Sequence, residues 1–589
     1  MKKRSILLFV VTTGMLTACS CFGINTVKLS DTTRTVFTLT DLSMPGLGED
    51  GAANRNLIPH KEVHFKVHPS YENVLYCDFV TYAELVANTF LIEGTRYECD
   101  GTNFTISNSD GQTFFAAEVN YRNKMIAYAG NITSARLDQM EQVASLGNLL
   151  TDAKVTQNTI KQGEVLYTSV YFKDYDFPIY YQNNKLIAPL AFFDSALGSA
   201  LSLYHIDGFA DLVQYSDQSA IEVPITTDNK SVAQTIQAYY QQNGMPEDLR
   251  LLERESLYLI MDNFYGLAAH KHIKSMTNYY DNLAISDALL SKDEATRNYS
   301  IFEAFAVLND DHSGITKIAP HWGDKAEYSH RGPLSVDRRL LSQSLVAERN
   351  ATWGTTPTDY GVDEQVRYST SGETAYFYFD SFIFDRNLYK QENRDNLWHT
   401  DSYFYFLNQF EAIKAHGGVK NVIIDDSCNG GGTIGIAVKL LALISKDNHG
   451  SNFTYNLKTG TVSELAIQVD SNQDGQYDQD DVYGDDFNIY ILTSPNSFSC
   501  GNILPVSAQF NGLAKIIGKK SGGGECVVGS NQLPSGRSIV HSSIERIVLV
   551  KDGKVYYGVE NGATPDIDLE YHQFYNLDHV ETVIKEANQ

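Results

Sequence analysis

A serine stands between a hydrophobic strand pattern and a helical pattern in the C-terminal half of the chain. Residues 487–493 are strand-like and residues 500–511 are helical, so Ser499 is predicted to lie at the start of a helix. The first N–H groups of a helix lack partners within it and can stabilise the oxyanion that forms when a nucleophile attacks a carbonyl. This placement suits an activated serine. Taken alone, it favours a helix cap, a role that serine often fills.

A second strand pattern ends in a glycine-rich turn. Residues 419–425 predict a buried strand, residues 429–432 read Asn-Gly-Gly-Gly, and residues 434–445 have an apolar helical pattern. Glycines at such a turn free backbone N–H groups and let a substrate approach the main chain closely. Turns of this kind are common, so the pattern alone is a weak signal.

Together these segments resemble the catalytic core of the S41 (tail-specific, C-terminal-processing) serine peptidases. The glycine turn, the Ser-x-Ser segment ending at Ser499 and the run at residues 509–518 follow the order and spacing of that family over residues 370–570. The resemblance implies an α/β core of the crotonase/ClpP-like type, with Ser499 as the nucleophile. It also implies an oxyanion hole formed by backbone N–H groups near Gly430, Gly431 and Cys500.

The chain departs from the serine–lysine dyad of that family. A dyad lysine would stand near position 524, which is Gly524, and Lys519 or Lys520 could replace it only by an awkward swing out of its strand. Asn502 stands where an acidic residue is expected three positions after the nucleophile. A serine–lysine mechanism is therefore in doubt.

A histidine offers a different base. His312 lies in an Asp-Asp-His-Ser-Gly loop that resembles the His-bearing loop of another S41 branch, which includes the tricorn core protease and chlamydial protease-like activity factor. In that branch a glutamate completes the set, and Glu560 is the matching residue. An imidazole with a pKa of about 6.5 can accept a serine proton at neutral pH, and a carboxylate can orient it. The non-catalytic alternative for Glu560 is a solvent-exposed carboxylate before a turn.

An acidic loop matches the ligand spacing of an EF-hand calcium site. Residues 470–481 carry oxygen-bearing side chains at alternate positions and glycine at the sixth, but end in aspartate rather than bidentate glutamate, as in dockerin-type loops. The alternative is a solvated acidic hairpin. The predicted ligands of a structural Ca²⁺, which catalysis does not require, are Asp470, Asn472, Asp474, Gln476, Asp478 and Asp481.

The elements that must position these residues change character along the chain. Alternating strand and helix patterns after about residue 370 predict an α/β core with a buried sheet. Before this core, apolar residues at 3–4 residue spacing predict consecutive helices. Still earlier in the chain, the patterns predict a mixture of short strands and helices, such as those at 82–89 and 190–203. The predicted units are a signal peptide (1–18), a tether (19–60), an α+β accessory domain (61–230), a helical region with the His loop (231–335) and the S41-like core (336–589).

The N-terminus predicts a lipoprotein. A basic start precedes an apolar run at residues 6–16 that is too short to span a bilayer, and Leu-Thr-Ala-Cys ending at Cys19 reads as a lipobox. The protein is thus expected outside the cytoplasm, lipid-anchored through Cys19 to a bacterial membrane at the cell surface or in the periplasm. The alternative is an uncleaved apolar start on a soluble protein. Among the seven cysteines, Cys77 and Cys99 could form a disulfide or be free thiols.

Charge and length set the remaining limits. The 589 residues allow three or four structural units, and 46 basic against 72 acidic residues give a net charge of −26. A protein this acidic lacks the positive surface that nucleic acids require, so no nucleic-acid partner is expected.

The combined hypothesis is a membrane-anchored serine endopeptidase that hydrolyses protein or peptide substrates through an acyl-enzyme. The first alternative is a catalytically degenerate S41-like lipoprotein that binds peptides or other ligands, because the dyad lysine is missing, Asn502 replaces an acid and Ser427 stands where arginine is usual. A second alternative is a cell-surface adhesion module based on the aromatic-rich residues 61–230.

Overall fold

The computed structural model is a mixed α/β protein. The residues that it describes are 28–40, 56–90, 96–100, 102–107, 113–120, 123–129, 152–163, 167–172, 175–183, 185–197, 201–206, 210–215, 244–317, 332–354, 362, 365–384, 397–535 and 537–589. The signal peptide and Cys19 lie outside these residues.

The N-terminal part consists mainly of antiparallel sheet. Its elements are β1 (Ser30–Thr40), β2 (Asn56–His68), β3 (Tyr71–Asp78), α1 (Phe79–Phe90), β4 (Arg96–Cys99), β5 (Asn103–Ser107), β6 (Thr113–Asn120), β7 (Met125–Ala129), β8 (Ala153–Lys161), β9 (Thr168–Tyr171), β10 (Tyr180–Gln182), β11 (Lys185–Pro189), α2 (Leu190–Leu197), β12 (Leu201–Ile206) and β13 (Ala210–Tyr215). In the described ranges they form two five-stranded sheets, in the orders β1-β2-β3-β11-β10 and β4-β5-β6-β7-β9, and the pair β12-β13.

A helical region follows and leads into the loop that carries His312. Its elements are α3 (Glu247–Phe264), α4 (Met276–Asn282), α5 (Ile285–Leu289), α6 (Glu294–Ala306), β14 (Gly314–Lys317) and α7 (Pro333–Trp353). The side chain of Asp293 accepts the N–H of Thr296 and so caps the start of α6. Helix α6 packs on β14, which holds the intervening His312 loop against the C-terminal sheet.

The C-terminal part alternates strands with helices. Its elements are β15 (Arg367–Tyr368), β16 (Thr374–Tyr378), α8 (Ser402–His416), β17 (Asn421–Asp425), α9 (Ile434–Leu443), β18 (Gly450–Asn456), β19 (Val462–Val469), β20 (Asn488–Thr493), α10 (Cys500–Asn511), β21 (Lys515–Gly518), β22 (Cys526–Gln532), β23 (Ser538–Lys551), β24 (Lys554–Tyr556), β25 (Ile567–Asp568) and α11 (Leu577–Ala587). The predicted α/β core is therefore present.

The central sheet of this part is buried on both faces. Among the described residues its order is β15-β16-β17-β20-β21-β25, and all neighbours except β15 and β16 are parallel. Ile424 of β17 packs into the cluster that contains α8, α9 and α10, whereas Ile423 faces the cluster with Leu345 of α7 and Ile584 of α11. Successive side chains of a strand point to opposite faces, so a continuous apolar strand needs both layers of helices.

A second, seven-stranded sheet joins distant parts of the chain. β23 pairs with β14, β18, β22 and β24, and β19 links β18 to β8. β8 lies within the predicted accessory domain (61–230), yet it pairs with β19 of the predicted core. The domain boundaries stay predictions, and strand pairing in the structure crosses them.

Two predicted helices differ from the structure. The helix predicted at 190–203 ends at Leu197, and Leu201 onward forms β12, whose residues pair with β13. Apolar spacing also predicts one helix over residues 273–291, but the structure has two, α4 and α5, because Ala284 between them has a left-handed φ of 57°. Both errors come from apolar spacing that does not reveal where a chain turns.

Cys77 and Cys99 are both free thiols, so the structure has no disulfide between them. Burial raises the pKa of the Cys77 thiol, which therefore stays protonated at neutral pH. Among the described ranges, no helix combines the length and apolarity that a membrane crossing needs.

Candidate active site

Ser499 occupies a strained turn between β20 and α10. Its φ of 56° and ψ of −123° are rare for a residue other than glycine, and such a backbone costs about 1–3 kcal/mol. The Ser499 side chain makes no capping hydrogen bond; instead its carbonyl accepts the N–H groups of Asn502 and Ile503, each at 2.9 Å. The cap interpretation therefore does not describe this serine. A sharp strand–turn–helix geometry of this kind exposes the hydroxyl of a nucleophile.

Two glycines approach Ser499 so closely that no side chain could replace them. A Cβ atom built on Gly431 would lie 2.7 Å from the Cβ of Ser499, and one built on Gly524 would lie 2.8 Å from the Ser499 nitrogen. Both glycines also have positive φ angles. Two glycine segments, residues 429–432 and residues 522–524, thus pack against the serine, and their contacts fix its position.

The predicted oxyanion donors are not equivalent. The Gly431 N–H donates to Oδ1 of Asn429 at 2.8 Å, so in this conformation it is already used. The N–H groups of Gly430 and Cys500 have no hydrogen-bond acceptor among the described residues, and Cys500 begins α10, where N–H groups are unpaired. The Phe498 N–H donates to the Asn429 carbonyl at 3.0 Å and ties the two turns together. Gly430 and Cys500 are therefore the available donors.

The Cys500 thiol, next in sequence to Ser499, is buried. Its Sγ contacts the carbonyl oxygen of Gly432 at 3.1 Å, and burial raises its pKa to about 12. A thiol with such a pKa is not ionised at neutral pH and is a poor nucleophile. Ser499 is thus the better candidate.

His312 packs beside the nucleophile turn. Its ring centroid lies 4.8 Å from that of Phe498, the residue before Ser499, and only 8% of the His312 surface is exposed. The His312 N–H donates to Oδ1 of Asp310 at 3.1 Å. Among the described residues its imidazole Nδ1 has no hydrogen-bond partner, and no hydrogen bond joins the ring to Ser499 or Glu560. Phe498 thus links the imidazole of His312 to the turn that carries Ser499.

The surroundings of His312 favour its neutral form. Burial lowers the pKa of His312 below its usual range. The negative charges of Asp310, Glu560 and Asp311 oppose this effect, in that order, and the positive charge of Arg338 adds to it. A neutral imidazole at pH 7 is the form that can accept a proton.

Glu560 is held against the second glycine segment. Its Oε2 accepts the N–H groups of Gly524 and Glu525, both at 2.9 Å, and its own N–H donates to Oε2 of Glu525 at 3.0 Å. Burial raises the pKa of Glu560, whereas the two donated N–H groups oppose that rise. The carboxyl group is half-buried and acts on His312 through its charge rather than through a hydrogen bond.

The structure explains why the dyad lysine is missing. Position 524 has no room for a side chain, because its Cβ would meet both Ser499 and the Phe498 ring. Lys519 instead pairs with Asp568 and Glu570, and Lys520 is exposed. Neither lysine contacts the serine.

Three residues support the site through contacts that the sequence did not reveal. Asn502 donates to the Val559 carbonyl at 2.9 Å and so positions the turn before Glu560. Glu525 is buried, pairs with Arg546 and bonds the Glu560 backbone. Arg338 contacts the loop of His312 from α7. The missing acid at position 502 was visible in the sequence, but its replacement by a bridging amide was not.

The acidic loop 470–481 is closed by its own backbone. Oδ1 of the buried Asp481 accepts the N–H groups of Ser471 and Asn472, at 2.7 and 3.2 Å, and its Oδ2 accepts that of Asp478 at 3.0 Å. Asp470 accepts two further backbone N–H groups of the loop. Across the described ranges, no three His, Cys, Asp or Glu side chains are grouped to hold a metal ion. The carboxylates as they stand thus do not form a coordination cage.

The sequence comparison identifies the family of this region. Residues 397–569 match the sequence model of peptidase family S41. The region that contains Ser499, Glu560 and both glycine segments is therefore an S41 peptidase domain, and His312 lies outside the matched residues. No curated protein sequence matches the chain.

Solved structures align only distantly. A candidate peptidase from Parabacteroides merdae ATCC 43184 aligns at 17% identity and a TM-score of 0.37, over 58% of this chain and 97% of its own. Mature CPAF complexed with lactacystin aligns at 12% identity and a TM-score of 0.35, over 58% and 97%. The tricorn protease aligns at 14% identity and a TM-score of 0.30, over 90% of this chain and 44% of its own.

Proposed function

We propose that the chain is a serine endopeptidase of S41 type in which Ser499, His312 and Glu560 act together on protein substrates. One observation carries the proposal: Ser499 lies uncapped on a strained turn, with the imidazole of His312 packed on the adjacent Phe498. The experiment that tests it is replacement of Ser499 by Ala, followed by an assay of peptide-bond hydrolysis in an unfolded protein.

In the proposed reaction, Ser499 Oγ attacks the scissile carbonyl carbon while His312 takes the hydroxyl proton. The N–H groups of Cys500 and Gly430 stabilise the oxyanion. His312 then passes the proton to the leaving amine nitrogen, the C–N bond breaks, and an acyl-enzyme remains. Water then attacks the acyl carbon while His312 takes one of its protons, the C–Oγ ester bond breaks, and His312 returns that proton to Ser499 Oγ. Glu560 stabilises the imidazolium through its charge.

A binding protein without catalysis is the second candidate. It is favoured by the imidazole of His312, which in the described residues is bonded neither to Ser499 nor to Glu560. Catalytic hydrogen bonds are often long before substrate binds, so this geometry is also compatible with the peptidase. Reaction of Ser499 with a fluorophosphonate separates the two candidates, because only an activated serine reacts.

We also propose that Cys19 carries a lipid anchor that holds the acidic body outside the cytoplasm. The support is the lipobox after a short apolar run. We expect Cys19→Ser to move the protein from the membrane fraction to the soluble fraction in cell fractionation. Cys21→Ser is the matched control, because it removes a neighbouring thiol and leaves the lipobox intact. A Cys19→Ser protein that stays in the membrane fraction would refute the anchor.

The calcium prediction for loop 470–481 rests on ligand spacing alone. If the loop rearranges to bind Ca²⁺, excess calcium should raise the melting temperature and a chelator should lower it, since a ligand at 100 times its Kd stabilises the folded state by about 2.7 kcal/mol. Asp474→Ala removes one predicted ligand that lies exposed in the loop, and should abolish the shift. Equal melting temperatures of the unaltered protein with calcium and with chelator would count against the site.

A further inference from the structure

A guanidinium group on α7 contacts three parts of the candidate active site at once. The Arg338 side chain is largely buried, with 10% of it exposed. One terminal nitrogen donates to Oδ2 of Asp311 at 2.7 Å, and the other donates to the carbonyl oxygen of Gly522. The central carbon of the guanidinium lies 4.1 Å from the centroid of the Phe498 ring. Such a distance allows a cation–π contact.

Two of these contacts fix the histidine relative to the serine. Asp311 directly precedes His312, and Phe498 directly precedes Ser499. The Phe498 ring contacts the imidazole of His312 as well as the guanidinium of Arg338. Arg338 therefore holds the histidine loop and the nucleophile turn against the same aromatic ring.

The third contact reaches the glycine segment, residues 522–524, that binds the carboxylate of Glu560. Gly522 begins the run of residues 522–524, and its N–H donates to the carbonyl of Ser497 at 2.8 Å. Within this run the Gly523 carbonyl accepts the Ser499 N–H at 3.0 Å. The N–H of the following residue donates to Glu560. A displacement of this segment would therefore move the nucleophile and the carboxylate together.

We propose that Arg338 is a positioning residue that aligns His312 with Ser499 by joining the histidine loop, the nucleophile turn and the glycine segment. The inference rests on the proposed peptidase function for its catalytic consequence. Arginine suits this role because its planar fork can donate in two directions while its face stacks on a ring. A lysine ammonium keeps the charge but cannot hold the same three contacts.

The charges around His312 give the proposal a distinctive readout. Asp310 and Asp311 on its own loop and Glu560 from the opposite turn are negative, and Arg338 from α7 is positive. Removal of the positive charge raises the pKa of His312, because the negative groups then act without opposition. Activity needs the neutral imidazole, so as the pH is lowered the variant should lose activity at a higher pH than the unaltered protein does.

The test compares two substitutions in the full-length protein. Arg338→Lys and Arg338→Met should each lower kcat by about 10²-fold with little change in KM, because displacement of a catalytic group by about 1 Å has this cost. Only Arg338→Met should also shift the acid limb of kcat/KM to higher pH. A residue that served stability alone would change the melting temperature without moving this limb.

Arg254 provides the matched control. It lies on α3, pairs with Asp176 and Glu255, and has the ring of Tyr258 near its guanidinium. Arg254→Lys and Arg254→Met remove a similar ion pair and ring contact away from the candidate site. Both should keep the kcat and the pH profile of the unaltered protein.

An NMR titration of the His312 imidazole, assigned with His312→Gln, makes the outcome independent of turnover. If the protein shows no Ser499-dependent hydrolysis but the His312 pKa rises in Arg338→Met, the proposed function is refuted and the contact between Arg338 and the histidine loop is retained. If hydrolysis depends on Ser499 but Arg338→Met leaves both kcat and the His312 pKa unchanged, the positioning role of Arg338 is overturned and the peptidase function stands. An unchanged His312 pKa in a protein without hydrolysis would overturn both.

Discussion

Replacing Ser499 with Ala should lower hydrolysis of an unfolded protein substrate by about 10⁴-fold or more. The substitution removes the only atom that forms the acyl-enzyme in the proposed reaction. The melting temperature should hardly change, because the Ser499 hydroxyl makes no capping bond to α10. Loss of a true helix cap would instead cost about 1 kcal/mol. Initial rates and thermal unfolding of the same preparations provide both readouts.

Ser507→Ala is the control for this prediction. Ser507 lies within the same helix α10, away from the strained turn, and is buried, whereas Ser499 is partly exposed. We expect Ser507→Ala to keep its activity. Ser499→Ala with full activity would exclude Ser499 as the nucleophile, and Ser499→Ala with a lower melting temperature would restore the cap interpretation.

Replacing His312 with Gln should lower kcat by about 10²–10⁴-fold, the usual contribution of a positioned general base. In the unaltered protein the acid limb of kcat/KM should lie below pH ~6.5, the usual pKa of histidine, because burial lowers the pKa of His312. Activity is present while the imidazole is neutral and is lost as the pH falls through its pKa. Rates measured across the acid range test both statements.

His541 is a second buried histidine and serves as the comparison. Its pKa is also lowered by burial, but Nε2 contacts Oδ1 of Asn531 at 2.7 Å and Nδ1 contacts the Ser542 carbonyl at 3.2 Å. His541 is thus held by structural partners, whereas Nδ1 of His312 has none among the described residues. His541→Gln should leave the acid limb in place. An acid limb that is unchanged in His312→Gln would rule out His312 as the base.

Short-range signals predicted the core of the site. Helix α10 begins and ends as its pattern indicated, because an apolar strand precedes it and Gly512 directly follows its last residue. The glycine turn before α9 was likewise visible. The resemblance to S41 peptidases supplied what these patterns could not, namely the prediction that Ser499 acts with residues far away in the chain.

Contacts between distant segments were not predictable. The sequence around Arg338 does not single it out, and only the packing of α7 brings it to Asp311 and Gly522. In the sequence, the absence of a lysine at position 524 is only a departure from the family pattern. The structure gives its physical reason, since any Cβ there would meet the backbone of Ser499. The ligand spacing of loop 470–481 also could not show that Asp481 bonds the backbone.

Fluorophosphonate labelling, with the adduct located by mass spectrometry, tests the proposed mechanism most directly. We expect a single adduct on Ser499 in the unaltered protein. The labelling rate should fall by about 10²-fold or more in His312→Gln, because the general base activates the hydroxyl. An unlabelled folded protein, or an adduct on another residue, would contradict the assignment of Ser499 as a nucleophile activated by His312.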